Sequence, residues 1–290
     1  MKKFIILIPV YNDWESLKKL LINIDDSIKD IQNTKFNCIV VNDCSTIKTP
    51  EIKIPPNISS IKIINMSKNR GHARCNAFGM KYLSKKSDLE YLILMDSDGE
   101  DRPEEIKLLV NKVLAKPNIS VVAKRIKRSE GPLFQSLYYF HKYLTLIITG
   151  KLINFGNFSC LTKNDLEILS SKGSLWSSFS GSFKKHIKNY NEINSLRGRR
   201  YFGPSQMSLF KLIIHSLSII AVFKYRAFFT SAILFILFQY LALFVNFNFS
   251  FFQVSIVLFN LFLFIVSFRE NEAELKKSIS SIENIEELTH

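Results

Sequence analysis

Tyr91-Leu92-Ile93-Leu94-Met95-Asp96-Ser97-Asp98 decides how this chain is read. Five apolar residues followed by two carboxylates one residue apart describe a buried strand that ends at a polar rim. Side chains on an extended backbone alternate with period two, so Asp96 and Asp98 face the same side. Two such carboxylates repel each other unless a cation lies between them. Hard divalent ions take oxygen ligands, and Mg²⁺ uses one or two protein carboxylates together with substrate phosphates. Taken alone the pattern also fits a solvated turn or a helix cap, so its neighbours have to decide.

Outward from this stretch the chain alternates strands and helices. Phe4 to Val10 reads as a strand and Trp14 to Ile28 as a helix with Leu17, Leu20, Leu21 and Ile24 at apolar positions. Asn37 to Val41 and Ile61 to Asn65 are two further strands, and Ala73 to Leu83 is a helix. Pro103 starts a helix that runs to Leu114 with Glu104 and Glu105 in its first turn, and Ser120 to Ala123 is a fifth strand. This order predicts an α/β fold, a mostly parallel sheet covered by helices, whose ligands gather at the carboxyl ends of the strands. Four polar clusters fall at such ends: Pro9-Val10-Tyr11-Asn12-Asp13, Asn42-Asp43-Cys44-Ser45, Lys68-Asn69-Arg70-Gly71-His72 and Asp96-Ser97-Asp98-Gly99-Glu100-Asp101. Each alone is ordinary turn chemistry, but four in succession at one rim describe a site.

The C-terminal third is a different material. Between Arg226 and Arg269 there is no Lys, Arg, Asp or Glu. Two candidate spans, Ala227 to Val245 and Phe251 to Phe268, flank the polar break Asn246-Phe247-Asn248-Phe249-Ser250. Each is close to the ~20 residues that cross ~30 Å of hydrocarbon, so a two-helix membrane hairpin over residues 226–269 fits better than a buried one. Lys211, Lys224 and Arg226 precede it and Arg269, Lys276 and Lys277 follow, which by the positive-inside rule keeps both flanks cytoplasmic. Residues 207–225 read as an interfacial amphipathic helix, with a core helix as the alternative. The expected division is a cytosolic domain over 1–206, that helix, the hairpin, and a cytoplasmic tail over 270–290 with helix-like charged segments. Together these make a multi-pass protein of the inner (cytoplasmic) membrane.

A formal net charge of +14 suits anionic partners. With membrane spans in the chain these are phospholipid headgroups and phosphorylated lipid rather than nucleic acid, since much of the Phe content sits in the spans and not in a basic groove. Cys38, Cys44, Cys75 and Cys160 show neither metal-ligand spacing nor a paired framework, which points to a reducing compartment. The opening Met1 to Val10 lacks a small-residue cleavage site and leads straight into Tyr11-Asn12-Asp13-Trp14-Glu15, so it reads as a strand rather than a secretion signal.

The segments Ile8-Pro9-Val10-Tyr11-Asn12-Asp13, Val41-Asn42-Asp43-Cys44-Ser45, Asn69-Arg70-Gly71-His72 and Met95-Asp96-Ser97-Asp98-Gly99-Glu100-Asp101-Arg102-Pro103 resemble the successive motifs of glycosyltransferase family 2. The resemblance is closest to the dolichol-phosphate mannose synthase-like branch, which includes bacterial polyprenyl-phosphate glycosyltransferases with a C-terminal membrane hairpin. It implies a GT-A (Rossmann-like) nucleotide-sugar-binding domain and a metal-dependent transferase of cell-envelope polysaccharide biosynthesis. Pro9, Tyr11, Asp13, Asp43, Asn69, Gly71 and His72 would then bind the donor, and Asp96 and Asp98, with Glu100 where many relatives have Gln, would hold Mg²⁺ or Mn²⁺. Asp96, Asp98 and Arg125 would be the catalytic group. Lys124, Arg125, Arg197, Arg200 and Ser205 would bind the acceptor, a polyprenyl phosphate or another lipid. Asn154-Phe155-Gly156-Asn157-Phe158-Ser159 resembles the acceptor-side segment.

Departures from the family pattern are specific. Its usual Asp-Asp-Gly-Ser is here Asn42-Asp43-Cys44-Ser45, and Gly-Asp-Phe-Arg is here Gly156-Asn157-Phe158-Ser159. Chemically, sugar transfer requires the departing diphosphate to be neutralised while positive character grows at the anomeric carbon, and direct displacement inverts that centre. A lipid phosphate arrives ionised and needs no strong base, whereas a hydroxyl acceptor does. Between Gly150 and Pro204 the carboxylates are Asp165, Glu167 and Glu192, and the first two fall at a helix start. A polyprenyl phosphate acceptor is therefore favoured. A hydroxyl of a glycan or lipid, and a noncatalytic nucleotide-binding membrane protein, stay open, as do the sugar, the base of the donor and the oligomeric state, homo-oligomer included.

Overall fold

The computed structural model describes residues 1–127, 132–204, 208–245 and 247–290. Strand β1 (Lys2–Val10) is apolar from Phe4 to Val10 because both of its faces are covered. Phe4, Ile6, Ile8 and Val10 lie in one core with Leu17, Leu20, Leu21 and Ile24 of α1 (Trp14–Ile28) and Leu109, Val110 and Val113 of α3 (Ile106–Ala115). Ile5 and Leu7 lie in the other core, with Phe78 and Met80 of α2 (His72–Ser84), Leu166 and Leu169 of α5 (Lys163–Ser170), and Phe183 of α6 (Phe179–His186).

The remaining strands are β2 (Thr34–Asn42), β3 (Ile58–Met66), β4 (Tyr91–Leu94), β5 (Val121–Lys127), β6 (Phe155–Thr162), β7 (Asn191–Leu196) and β8 (Ile282–Thr289). They form one sheet in the order β7-β5-β6-β4-β1-β2-β3-β8. The run β4-β1-β2-β3 is parallel, as the alternation of strands and helices predicts, and it brings the ends of all four to one rim. The sheet as a whole is mixed. β6 enters antiparallel between β4 and β5, and β8 runs antiparallel to β3.

The expectation of a solvated tail over 270–290 is corrected by β8. After the short helix α10 (Glu272–Lys277) the chain pairs with β3 across a ladder that includes Ile64 opposite Ile285 and Ile61 opposite Leu288. Glu283, Glu286 and Glu287 fall within this strand, and it was the charge of the segment that read as helix-like and solvated. Pairing with the edge of β3 outweighs that local pattern.

Four helices build the apolar end. α4 (Pro132–Thr149), to which the sequence reading assigned no element, packs with α7 (Leu209–Ala221), α8 (Lys224–Leu241) and α9 (Ser250–Ser267). Among the described residues, α9 alone is long and apolar enough to cross a membrane by itself, and α8 passes that test only jointly with α7, from which it is bent by 93°. The two-span expectation is thus met directly by one helix. Phe229, Ile236, Phe251 and Phe268 are 68%, 67%, 76% and 68% exposed, a surface that water does not favour. The chain leaves the sheet before α8 and rejoins it at β8, so both ends of this excursion lie on one body.

Candidate active site

The acidic loop after β4 is held by its own backbone. Gly99 takes φ +86°, a left-handed conformation that glycine adopts without steric cost, and the Tyr201 ring lies where a side chain on it would be. The Tyr201 amide donates to the Asp98 carbonyl at 2.9 Å, the Gly198 amide donates to the Glu100 carbonyl at 2.8 Å, and Asn23 donates to the Tyr201 hydroxyl at 2.7 Å. The segment 197–201 is therefore laid along the acidic loop.

Side-chain pairing follows from that placement. Arg200 Nη1 donates to Asp98 Oδ2 at 2.8 Å and its Nη2 to Asp13 Oδ2 at 2.6 Å, while Arg197 pairs with Glu100. Arg125 lies 3.8 Å from Asp101. His72 and Asn157 both meet Asp96 Oδ1 at 3.2 Å, and the Asn157 amide sits 2.8 Å from His72 Nε2. Five carboxylates from two loops thus face Arg125, Arg197, Arg200 and His72.

Charge states follow. Burial by itself would raise Asp96, but the His72 charge, the hydrogen bonds from His72 and Asn157, and Arg125 hold it below the usual carboxylate range. Burial and then the Asp96 charge push Asp98 up to about 6 and Asp101 up to about 7. Burial would lower His72, yet Asp96 overrides it and raises the imidazole to about 9, so it is a cation at neutral pH. This is the electrostatic signature of carboxylates crowded around a place for positive charge.

On the donor side, Asp43 accepts from the Arg70 amide at 2.7 Å and the Gly71 amide at 2.8 Å, and Asn69 donates to its carbonyl at 3.1 Å. Burial raises this carboxyl, and those two amides work against the rise. Asn42 bonds Asn65 at 2.7 Å and receives the Ser45 amide at 3.0 Å, so the amide that replaces the family's first carboxylate is a structural strut. Cys44, where the family has glycine, keeps the glycine conformation at φ 58°. Tyr11 is exposed and Pro9 is buried in β1 opposite Val41.

Of the expected acceptor group, Arg197 and Arg200 come to the acidic loop rather than standing apart from it. Lys124 diverges from Arg125 and lies 3.5 Å from Glu192. Ser205 lies outside the described residues. Two members were missed from the sequence. Asp101 is 5% exposed and accepts the Asp96 amide at 3.0 Å, and its place in the acidic run was the available signal. Asn157 is the other, read only as the loss of a charge. The Asp165 carboxylate accepts from the Ser120 hydroxyl, and its amide donates to the capping Thr162 hydroxyl at 3.2 Å, as its helix-start position implied.

For a metal, the donor set is carboxylate oxygen. The hydrogen bonds to the Asp96 carboxylate all go to Oδ1, leaving Oδ2 without one from any described residue. With Asp98 beside it the pair fits a hard divalent ion. Glu100 is turned to Arg197, and among the described residues no group of three or more His, Cys, Asp or Glu side chains closes on a single ion position.

Comparison with known proteins agrees with this geometry. The family model for glycosyl transferase family 2 matches residues 5–195, and the chain belongs to that family. It is 27% identical over 228 residues to the undecaprenyl-phosphate 4-deoxy-4-formamido-L-arabinose transferase of Photorhabdus laumondii, a match that spans 73% of this chain and 65% of that protein. The enzyme of the same name from Yersinia enterocolitica is 26% identical over 224 residues, with the same coverage of 73% and 65%. The chain thus matches somewhat less than two thirds of these relatives' length. Among solved structures, glucosyl-3-phosphoglycerate synthase from Mycobacterium tuberculosis with Mn²⁺, UDP and glucosyl-3-phosphoglycerate superposes with a TM-score of 0.51 at 14% identity, covering 78% of this chain and 80% of that one. This likeness is one of fold, a GT-A-like mixed sheet.

Proposed function

We propose that this chain is a membrane-anchored inverting glycosyltransferase that moves a sugar from a nucleotide-sugar donor to a polyprenyl phosphate of the undecaprenyl type. Its working place would be the cytoplasmic face of the inner membrane. The observation that carries this reading is that one sheet ends in Asp96 and Asp98 and also receives the chain back from the apolar helices α8 and α9 as β8. The acidic site is thereby tethered beside a lipid-facing surface, where a lipid-linked acceptor arrives. The relatives named for undecaprenyl-phosphate sugar transfer support the acceptor class.

A divalent ion of the Mg²⁺ or Mn²⁺ type would be held by Asp96 and Asp98 and would neutralise the departing diphosphate as a Lewis acid. The chain's own residues do the rest. Asp43, fixed by the Arg70 and Gly71 amides, faces the donor's nucleoside from the end of β2. Asn157 and His72 fix the orientation of Asp96. Arg125, Arg197 and Arg200 orient anionic oxygens through charge-assisted hydrogen bonds. Glu192 is paired with Lys124 and Asp165 with Ser120, and a protonated His72 is no base, which suits an acceptor that arrives ionised.

The test is incubation of the detergent-solubilised protein with a panel of nucleotide sugars, Mg²⁺ or Mn²⁺ and undecaprenyl phosphate, followed by mass spectrometry of the lipid fraction. A glycosyl-phospholipid that is lost in Asp98→Ala is the expected result. Donor turnover without lipid product would move the assignment to a hydroxyl acceptor, and no turnover with any donor would refute the enzyme.

A further inference from the structure

Beside the active site, α2 begins with two arginines of different fate. Arg70 gives its two Nη atoms to Glu274 at 3.1 Å and Ser281 at 3.0 Å, while its buried Nε meets no acceptor among the described residues. Arg74, one turn on, lies over the Trp176 ring at 5.6 Å, and its guanidinium makes neither a hydrogen bond nor an ion pair with any described residue. Arg269, on the turn that leaves α9, is likewise without an acceptor among the described residues. The Nε atoms of both are buried, and both side chains are half-buried.

These groups share one seam. The turn that carries Trp176 packs on the segment after α9, with the Glu272 amide 2.8 Å from where a Cβ on Gly173 would stand. Glu274 is taken by Arg70, and Glu270 lies 3.6 Å from Lys224 with its buried Oε2 not hydrogen-bonded by any described residue. Those two carboxylates leave Arg74 and Arg269 as unmatched positive charge. Burial, then Arg269 and Arg70, lower the Arg74 pKa, and Glu274 opposes them without overcoming them, the direction expected where cations outweigh anions. A half-buried guanidinium with unused donors is costly unless an oxyanion completes it. Arg269 follows α9 directly, which puts the seam at headgroup level if α9 crosses the bilayer.

We propose that Arg74 and Arg269 form a binding site for the phosphate of an anionic phospholipid headgroup, separate from the sugar-transfer centre. The site rests on the reading of α8 and α9 as membrane helices. It holds the domain against the bilayer where the chain re-enters the sheet.

The test uses full-length protein reconstituted in nanodiscs of phosphatidylcholine with or without phosphatidylglycerol, released for native mass spectrometry to count retained lipid. Wild type is expected to retain phosphatidylglycerol, and Arg74→Gln/Arg269→Gln to retain it at least roughly tenfold less. Lys211→Gln, a basic surface change elsewhere, should behave as wild type, and circular dichroism checks that the double variant folds. Equal retention by wild type and the double variant would overturn the site. Competition by inorganic phosphate at millimolar concentration would overturn the lipid as source. Displacement of phosphatidylglycerol by undecaprenyl phosphate, with a raised acceptor KM in the double variant, would overturn the separation from the sugar-transfer centre. Protein that enters no lipid bilayer at all would refute the membrane reading instead, so the two failures are distinguishable.

Discussion

Arg200 joins Asp98 to Asp13, at 2.8 Å and 2.6 Å, and so ties the loop after β4 to the loop after β1. A single guanidinium sets the spacing of two carboxylates at the carboxyl-end rim of the sheet. Arg200→Gln is expected to lower kcat/KM for the donor about tenfold to a hundredfold, since each charge-assisted bond contributes about 1.5–3 kcal/mol. Arg200→Lys should recover only part of this, because an ammonium lacks the two-pronged fork. Steady-state kinetics with varied donor reads it, and full recovery by lysine would contradict the bridging role.

Asp43 gives both of its oxygens to backbone amides. Asp43→Ala leaves those amides without acceptors and is expected to cost about 2–4 kcal/mol of stability and to weaken donor binding. Denaturant unfolding and nucleotide titration check the two effects separately. A variant as stable as the parent would show that water replaces the carboxylate at no cost.

Cys44 holds a left-handed conformation at φ 58° that costs an L-residue roughly 1–2 kcal/mol. Cys44→Gly is expected to raise stability by about 0.5–1 kcal/mol, the relief of strain being offset in part by a more flexible unfolded chain. A loss of stability would mean that the thiol makes a contact worth more than the strain.

The thiols also divide by burial. Cys38, Cys75 and Cys160 are buried, and burial pushes Cys38 up to about 12, whereas Cys44 is partly accessible on the loop after β2. In native protein at pH 8 a thiol reagent should label Cys44 alone, and a bound nucleotide sugar should slow that labelling. Labelling unaffected by saturating donor would place the nucleoside elsewhere.

Removal of residues 282–290 uncovers the edge of β3 and strips Asn284 and Glu286 from Asn65, which in turn bonds Asn42 below the donor loop. The truncated protein is expected to unfold at a lower temperature and to bind donor more weakly. Unchanged thermal unfolding would contradict the place of β8 in the sheet.

The parallel half of the sheet was legible because its strands are buried on both faces and read as continuous apolar runs such as Phe4 to Val10. Its carboxyl-end clusters followed from topology. Pairings across the rim were not legible, because Arg200 reaches Asp98 and Asp13 through tertiary folding that no local spacing encodes. Arg197 and Arg200 were read as acceptor-binding residues for this reason. The polar edge strand β8 was hidden by its glutamates, and α4 by aromatic residues that suit a core and a membrane surface equally.

The return of the chain to β3 after α9 orders the protein's synthesis. A ribosome releases β1 to β7 first and the apolar helices next, while the strand that finishes the sheet emerges only afterwards. Completion of the β3 edge thus waits on the helices, and if these enter a bilayer as proposed, a helix threaded the wrong way would strand residues 282–289 across it from β3. Under that proposal the fold inspects its own topology, because the sheet closes only when both ends of the apolar excursion return to the same side.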